Sequence, residues 1–200
     1  SYMSMIPGMV VMAPSDECEM TRMVLTTGSI DSGPSALRFP RGSAAGVDMC
    51  SSDEPLEVGR GRFLSEGGDA SLIAVGSMTG PAVEAAQILA EKGVSVSVID
   101  VRFVKPLDSE LILKASSGEK PLFVIEENAV SGGLGDAVTR LFSSEGILVP
   151  ITRIGIVDRF VPHGTRDELL DEQGLTAAKI AETVLSSVSN SEEDTDGGSR

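Results

Sequence analysis

The sequence predicts an α/β protein whose main sheet is mostly parallel. Between residues 70 and 188, short runs that are apolar throughout alternate with segments of helical periodicity. Strands that are buried on both faces have this composition, and the helices that connect them cover the two faces of the sheet. A unit of about 120 residues is large enough to bury its own core.

The elements of this unit follow in a regular order. Pro81 suits the first turn of a helix, and Gly93 suits the end of the same helix. Strands are predicted over residues 71–75, 94–101, 122–126 and 147–156, the last interrupted by Pro150. Helices are predicted over 81–92, 109–115, about 134–141, 165–170 and 176–188.

Residues 1–50 are predicted to form a strand, a helix and a second strand. Ser15 is a good N-cap, and acidic residues follow it in the first helical turn. The helix presents three apolar residues at i, i+3, i+4 spacing, namely Met20, Met23 and Val24. The two strands are predicted over residues 9–13 and 35–39.

The remaining segments carry little periodicity. Residues 51–69 are typical of a linker, although a short strand between 56 and 64 is compatible with the pattern. Residues 189–200 are polar and acidic, a composition that cannot bury apolar surface, so we expect a disordered tail. The predicted organisation is therefore a sheet fragment over 1–50, a linker over 51–69, an α/β domain over 70–188 and the tail.

Composition excludes several classes of function. The chain has 16 Lys and Arg against 30 Asp and Glu, a net charge of −14, which argues against nucleic acid as a partner. Its single His and two Cys, Cys18 and Cys50, are too few for a Cys- and His-built zinc site. They also predict no disulfide framework and fit a reducing compartment. No apolar run approaches the roughly 20 residues of a membrane span, so no membrane partner is expected.

Arg41 is the strongest candidate for ligand binding. It follows the second predicted strand in the sequence Pro40-Arg41-Gly42, and ligands of open α/β sheets bind at the carboxyl ends of strands. A guanidinium there offers a planar fork to a phosphate or a carboxylate. The alternative is a structural Arg that pairs with a neighbouring carboxylate.

The glycine-rich segment 131–135 (SGGLG) lies between a predicted strand and a helix. Its amides could hold an anion at the helix N-terminus, but neither nucleotide-binding fingerprint is present. A tight turn that lets the helix pack closely is therefore favoured. Glu126 and Glu127 precede it, and adjacent strand residues point to opposite faces, which disfavours a paired acid and base. His163, beside Pro162 and Gly164, is either a proton carrier or, more often, a loop hydrogen-bonding residue.

Several stretches together resemble the 1-deoxy-D-xylulose-5-phosphate synthase family of the transketolase-like superfamily. Their order and gaps match from about residue 2 to residue 188. They are residues 6–17 (IPGMVVMAPSDE), 33–42 (GPSALRFPRG), 100–108 (DVRFVKPLD), 126–128 (EEN) with 131–135 (SGGLG), and 158–160 (DRF) with His163 and Gly164.

The resemblance implies a fold and an activity. Residues 1–50 would be the end of a pyrimidine-binding domain, and 70–188 a whole transketolase C-terminal-type domain. The family condenses pyruvate with glyceraldehyde 3-phosphate with loss of CO2, using thiamine diphosphate and Mg²⁺, and works as a homodimer. The product feeds isoprenoid, thiamine and pyridoxal synthesis. The compartment is the bacterial cytoplasm or the plastid stroma, and the acidic, serine-rich tail favours the plastid.

The resemblance carries over one site residue. Arg41 matches the family's Pro-Arg-Gly arginine, which contacts the substrate phosphate. The catalytic, cofactor-binding and metal-binding residues of the family lie upstream of Ser1, and His163 matches none of them. We therefore expect the isolated chain to lack activity. Two alternatives stay open: part of another thiamine diphosphate enzyme, such as transketolase or a 2-oxoacid dehydrogenase β subunit, or a non-catalytic dimerisation or regulatory module.

Overall fold

The computed structural model describes residues 1–42, 46–47 and 54–196, with side chains described up to residue 189. The strands of these residues are β1 (Val10–Met12), β2 (Ser35–Leu37), β3 (Arg62–Ser65), β4 (Ala70–Ala74), β5 (Val96–Asp100), β6 (Phe103–Lys105), β7 (Leu122–Ala129) and β8 (Ile151–Ile156). The helices are α1 (Glu17–Ser29), α2 (Thr79–Glu91), α3 (Ser109–Ala115), α4 (Leu134–Glu145), α5 (Arg166–Glu172) and α6 (Ala177–Asp196). None of the helices in this part of the chain combines the length and apolar character needed to cross a membrane.

A large sheet with strand order β3-β5-β4-β7-β8 forms the centre of the fold. Its strands are parallel except for the edge strand β3, which pairs antiparallel with β5. Adjacent residues of a strand enter opposite layers: Leu72 packs in the core under α2 and α6, and Ile73 in the core under α4. The predicted α/β class with a mainly parallel sheet is therefore confirmed.

A small sheet with strand order β2-β1-β6 lies beside it. β1 pairs parallel with β2 and antiparallel with β6. Helix α1 covers this sheet through Met23, which packs with Met12 and Phe103 in a third buried cluster. Because β6 belongs to the stretch predicted as a separate domain, the two halves of the chain share one sheet. The predicted division at residues 50 and 70 stays a prediction.

The start of α1 differs from the sequence prediction. Asp16, not Ser15, is the N-cap, and its carboxylate accepts a hydrogen bond from the Glu19 amide at 2.8 Å. The apolar face also differs, because Val24 is 55% exposed while Glu19 is buried beside Met23. The guanidinium groups of Arg62 and Arg102 lie 3.3 and 2.7 Å from the Glu19 carboxylate and compensate its buried charge.

Two further segments refine the sequence prediction. The short strand that the linker pattern allowed between 56 and 64 is present as the edge strand β3, at Arg62–Ser65. The tail predicted to be disordered from residue 189 is helical as far as Asp196, and residues 197–200 lie outside the described residues. Helix α6 has neither Gly nor Pro between Ala177 and Asp196, so a helix that Ile180 and Val184 anchor to the core continues into the polar segment.

Candidate functional site

Arg41 lies just beyond the carboxyl end of β2. The Arg38 amide donates to the Met12 carbonyl at 2.9 Å and so continues the ladder with β1 by one residue. Pro40 then leads to Arg41, whose side chain is exposed. Its guanidinium has no hydrogen-bond or ion-pair partner among the described residues, so the alternative of a structural ion pair is not supported there.

This lack of a partner sets Arg41 apart. Of the ten described arginines, only Arg41 and Arg140 have no partner for the guanidinium within the described residues, and Arg140 lies on α4. The other eight bond to carboxylates or backbone carbonyls. Arg41 therefore retains all the donors that a phosphate or carboxylate would use.

Arg38, three residues before Arg41, reaches across to the large sheet. Its Nη2 donates to the backbone carbonyl of Glu127 at 2.8 Å, and its Nη1 lies 3.9 Å from the Glu127 carboxylate. That carboxylate also accepts from the Ser77 hydroxyl at 2.6 Å and from Arg166, whose Nη2 and Nε lie at 2.5 and 3.3 Å. We call these four residues the Glu127 cluster.

The topology explains how the Glu127 cluster assembles. Glu127 lies near the carboxyl end of β7, Ser77 lies in a turn after β4, and Arg166 begins α5 after β8. These three strands are parallel neighbours, so their carboxyl ends meet at one edge of the sheet. Arg38 is the one member of the cluster that comes from the small sheet.

The Glu127 side chain is 13% exposed, whereas those of Arg38 and Arg166 are 48% and 37% exposed. Burial alone would raise the pKa of Glu127, but hydrogen bonds from Arg166 and Ser77, together with the two arginine charges, hold this pKa below its usual value. Glu127 is therefore an ionised anchor rather than a proton carrier at neutral pH.

The glycine-rich turn is occupied by the protein's own carboxylate. Glu126, which is buried, accepts hydrogen bonds from the amides of Leu134 and Gly135 at 2.8 and 2.9 Å. A Cβ on Gly133 would overlap the Glu126 carboxylate and lie 2.6 Å from Nδ2 of Asn128. The predicted tight turn with close packing is confirmed, and the helix N-terminus is not free for an external anion.

Arg38, Glu126, Glu127 and Asn128 also line a cavity of about 80 Å³ between the two sheets. A cavity of this size holds a few water molecules, whereas ligand sites of drug-sized molecules usually exceed about 300 Å³.

The other predicted candidates contribute less. His163 is exposed and forms no hydrogen bond within the described part of the chain, so neither of its two predicted roles is supported. Across the described residues, no group of three or more His, Cys, Asp or Glu side chains could hold a metal ion. The described residues therefore do not form a Mg²⁺ site of this kind.

Cys18 departs from expectation. It lies in the first turn of α1 and is disulfide-bonded, whereas the composition predicted no disulfide framework and a reducing compartment. The chain has one other cysteine, Cys50, which lies outside the described residues. A count of two cysteines cannot indicate whether folding brings a thiol close to a partner.

The family model "Transketolase, C-terminal domain" matches residues 59–180, which is more than half of the chain. The chain belongs to the transketolase C-terminal domain family. This match begins before residue 70, where the sequence placed the domain start, and it includes β3. It also agrees with the predicted resemblance to the transketolase-like superfamily.

Curated relatives agree with the more specific resemblance. Proteins named 1-deoxy-D-xylulose-5-phosphate synthase match from Trichormus variabilis (46% identical, 92% of this chain), Gloeobacter violaceus (42%, 94%) and Symbiobacterium thermophilum (44%, 91%). The chain spans only 28–30% of their length. A solved structure named "Split gene transketolase, inactive beta4 tetramer" superposes with a TM-score of 0.84 at 33% identity, covering 94% of this chain and 60% of that one.

Sequence reasoning selected Arg41 but set Glu127 aside and did not select Ser77 or Arg166. The signal available was positional, since Ser77 and Glu127 come at or just after the ends of buried parallel strands. Arg166 carried no such signal, because nine residues separate it from the end of β8.

Proposed function

We propose that this chain is the C-terminal part of 1-deoxy-D-xylulose-5-phosphate synthase, which condenses pyruvate with glyceraldehyde 3-phosphate with loss of CO2. Three relatives with that name share 42–46% of their aligned residues with it. The observation that carries the proposal is Arg41, whose exposed guanidinium has no partner among the described residues and stands in the predicted Pro-Arg-Gly position. The product would serve isoprenoid, thiamine and pyridoxal synthesis.

In this role Arg41 binds the phosphate of glyceraldehyde 3-phosphate. A guanidinium offers two parallel N–H donors to two phosphate oxygens, and such charge-assisted bonds are stronger than neutral ones. Pyruvate carries no phosphate, so Arg41 would distinguish the acceptor from the donor substrate. Thiamine diphosphate and Mg²⁺ would be held by other parts of the full-length enzyme; among the described residues, no group of three or more His, Cys, Asp or Glu side chains could hold the metal ion.

The isolated chain would then have no synthase activity, because it supplies one substrate contact and no catalytic group. The full-length enzyme would be a homodimer. We place it in the plastid stroma or the bacterial cytoplasm, with the serine-rich, acidic end of the chain favouring the plastid. Immunofluorescence in the source cells would distinguish the two compartments.

The second candidate is a non-catalytic module. The solved structure that superposes on this chain is named as an inactive tetramer of a split transketolase. That superposition includes 94% of this chain, so the chain could likewise act as a separate subunit. In that case it would assemble with a partner enzyme and would bind no substrate by itself.

A chimera tests the proposal. The segment of the Trichormus variabilis enzyme that matches this chain is replaced by the chain, and product is measured with pyruvate, glyceraldehyde 3-phosphate, thiamine diphosphate and Mg²⁺. We expect 1-deoxy-D-xylulose 5-phosphate from the chimera and none from the chain alone. A folded chimera that instead transfers ketol groups between sugar phosphates would contradict the proposal and favour transketolase. A folded but inactive chimera would contradict it and favour the non-catalytic module.

A further inference from the structure

The Arg38–Arg41 turn is held from two directions. Its backbone is joined to β1 through the bond from the Arg38 amide to the Met12 carbonyl at 2.9 Å. Its first side chain is joined to β7 through the bond from Arg38 Nη2 to the Glu127 carbonyl at 2.8 Å. Only two residues, Phe39 and Pro40, separate this anchored residue from Arg41, and proline fixes the φ angle of one of them.

The anchor on the large sheet is held by several hydrogen bonds. The Glu127 side chain is 13% exposed, and its carboxylate accepts from Ser77 at 2.6 Å and from both Nη2 and Nε of Arg166. A two-point Arg–carboxylate contact fixes direction as well as distance. These bonds hold the Glu127 peptide, and with it the carbonyl on which Arg38 is seated.

We propose that Glu127 is a positioning residue, which acts through Arg38 to hold Arg41 in the geometry that binds the acceptor's phosphate. The proposal rests on the proposed function of Arg41. It means that residues of the transketolase C-terminal domain set the affinity of the enzyme for phosphorylated substrate without touching that substrate. Misplacing a substrate-positioning group by about 1 Å can lower a rate by about 100-fold, so a loosened anchor has a measurable effect.

The test uses the chimera described above and two acceptors, glyceraldehyde 3-phosphate and unphosphorylated glyceraldehyde. Glu127→Gln keeps the size of the side chain but removes the charge that holds Arg166. We expect kcat/KM to fall about 10-fold for the phosphorylated acceptor and less than about 2-fold for glyceraldehyde. Glu84→Gln, an exposed position on α2, is the matched control and should change neither value.

The double variant Arg41→Ala with Glu127→Gln separates positioning from general damage. If Glu127 acts through Arg41, the double variant loses no more than Arg41→Ala alone. Equal losses for the two acceptors, or additive losses in the double variant, would overturn the proposal. If Arg41→Ala itself shows no preference between the acceptors, the proposed function has failed, and the positioning role fails with it.

Two further measurements cover a Glu127 variant that does not fold. Arg38→Met removes the hydrogen bond to the Glu127 carbonyl at the more exposed of its two partners. It should lower kcat/KM selectively for the phosphorylated acceptor, as Glu127→Gln does. In the chain as it stands, Glu127→Gln or Arg38→Met should speed amide exchange in residues 37–42 and leave β5 unchanged. Unchanged exchange in residues 37–42 with both variants would contradict the proposal independently of activity.

Discussion

The guanidinium of Arg102 lies 2.7 Å from the carboxylate of Glu19 and joins helix α1 to the end of β5. Arg62 lies 3.3 Å from the same carboxylate and 3.1 Å from that of Asp100. Both acids are almost completely buried, and Arg102 adopts the left-handed backbone conformation, with φ 57°. The ion pairs therefore hold a strained residue at the junction of the two sheets.

Replacing Arg102 tests the strength of this junction. Arg102→Met would leave the buried Glu19 charge only partly compensated, so we expect the free energy of unfolding to fall by about 3 kcal/mol. Arg159→Met, which removes an exposed ion pair with Glu172, should cost less than about 1 kcal/mol. Urea denaturation of both variants measures the difference. A loss for Arg102→Met as small as that for Arg159→Met would show that the pair is not coupled to folding.

The lowered pKa of Glu127 predicts a pH dependence. A carboxylate whose pKa is lower in the folded than in the unfolded protein stabilises the folded state at every pH above its unfolded pKa, which is 4.5 for Glu127. This stabilisation is lost as the pH falls through the folded pKa. The unfolding free energy of the unaltered chain should therefore fall more steeply below about pH 4.5 than that of Glu127→Gln. Burial raises the pKa of Asp100, so this residue makes the free energy of unfolding fall as pH rises. The contribution is the same in the unaltered chain and in Glu127→Gln, and it cancels in the comparison.

Parallel slopes for the unaltered chain and Glu127→Gln between pH 5 and pH 3 would contradict this assignment. Glu84→Gln is the control for charge alone, because Glu84 is exposed on α2. Its slope should match that of the unaltered chain.

Gly133→Ala tests the turn before α4. The added methyl group would displace the Glu126 carboxylate from the amides of Leu134 and Gly135, leaving buried polar groups unpaired. We expect a loss of about 1–3 kcal/mol in stability. Gly80→Ala, on the exposed side of α2 with open space around it, should instead be neutral or stabilise by up to about 1 kcal/mol. Thermal unfolding of both variants decides, and a tolerated Gly133→Ala would count against the packing argument.

Hydrogen exchange tests the small sheet. β2 lies at its edge and its residues are only half-buried, whereas β4, β5 and most of β7 are fully buried. Residues 1–50 should therefore exchange their amide hydrogens faster than residues 70–188. Uniform protection along the chain, measured by mass spectrometry, would mean that the small sheet is as stable as the large one.

The repeating part of the fold was accessible from the sequence because burial on both faces makes β4, β5 and the first four residues of β7 predominantly apolar. Helix α3 was predicted with its observed bounds. Strand β6 was not predicted, and β3 was only allowed as a short strand between 56 and 64, since they have three and four residues and are stabilised by pairing with distant strands. Strand pairing of this kind depends on tertiary context, which local composition does not contain.

The candidate site divides in the same way. Arg41 was predictable because a strand end, a proline and a glycine mark its position in the sequence. The Glu127 cluster was not, because its side-chain contacts join residues 39–50 positions apart, and the link to Arg38 spans 89 positions. Contacts at such separations follow from the order of the strands in the sheet.

The most direct test is the Michaelis constants of the chimera with and without Arg41→Ala. If Arg41 binds the acceptor phosphate, the KM for glyceraldehyde 3-phosphate rises about 10- to 100-fold, the equivalent of one charge-assisted hydrogen-bond pair, and the KM for pyruvate changes less than about 2-fold. Arg140→Ala, at the second of the two arginines without a partner among the described residues, should change neither value. Equal increases for both substrates, or no increase for the phosphorylated one, would contradict the account.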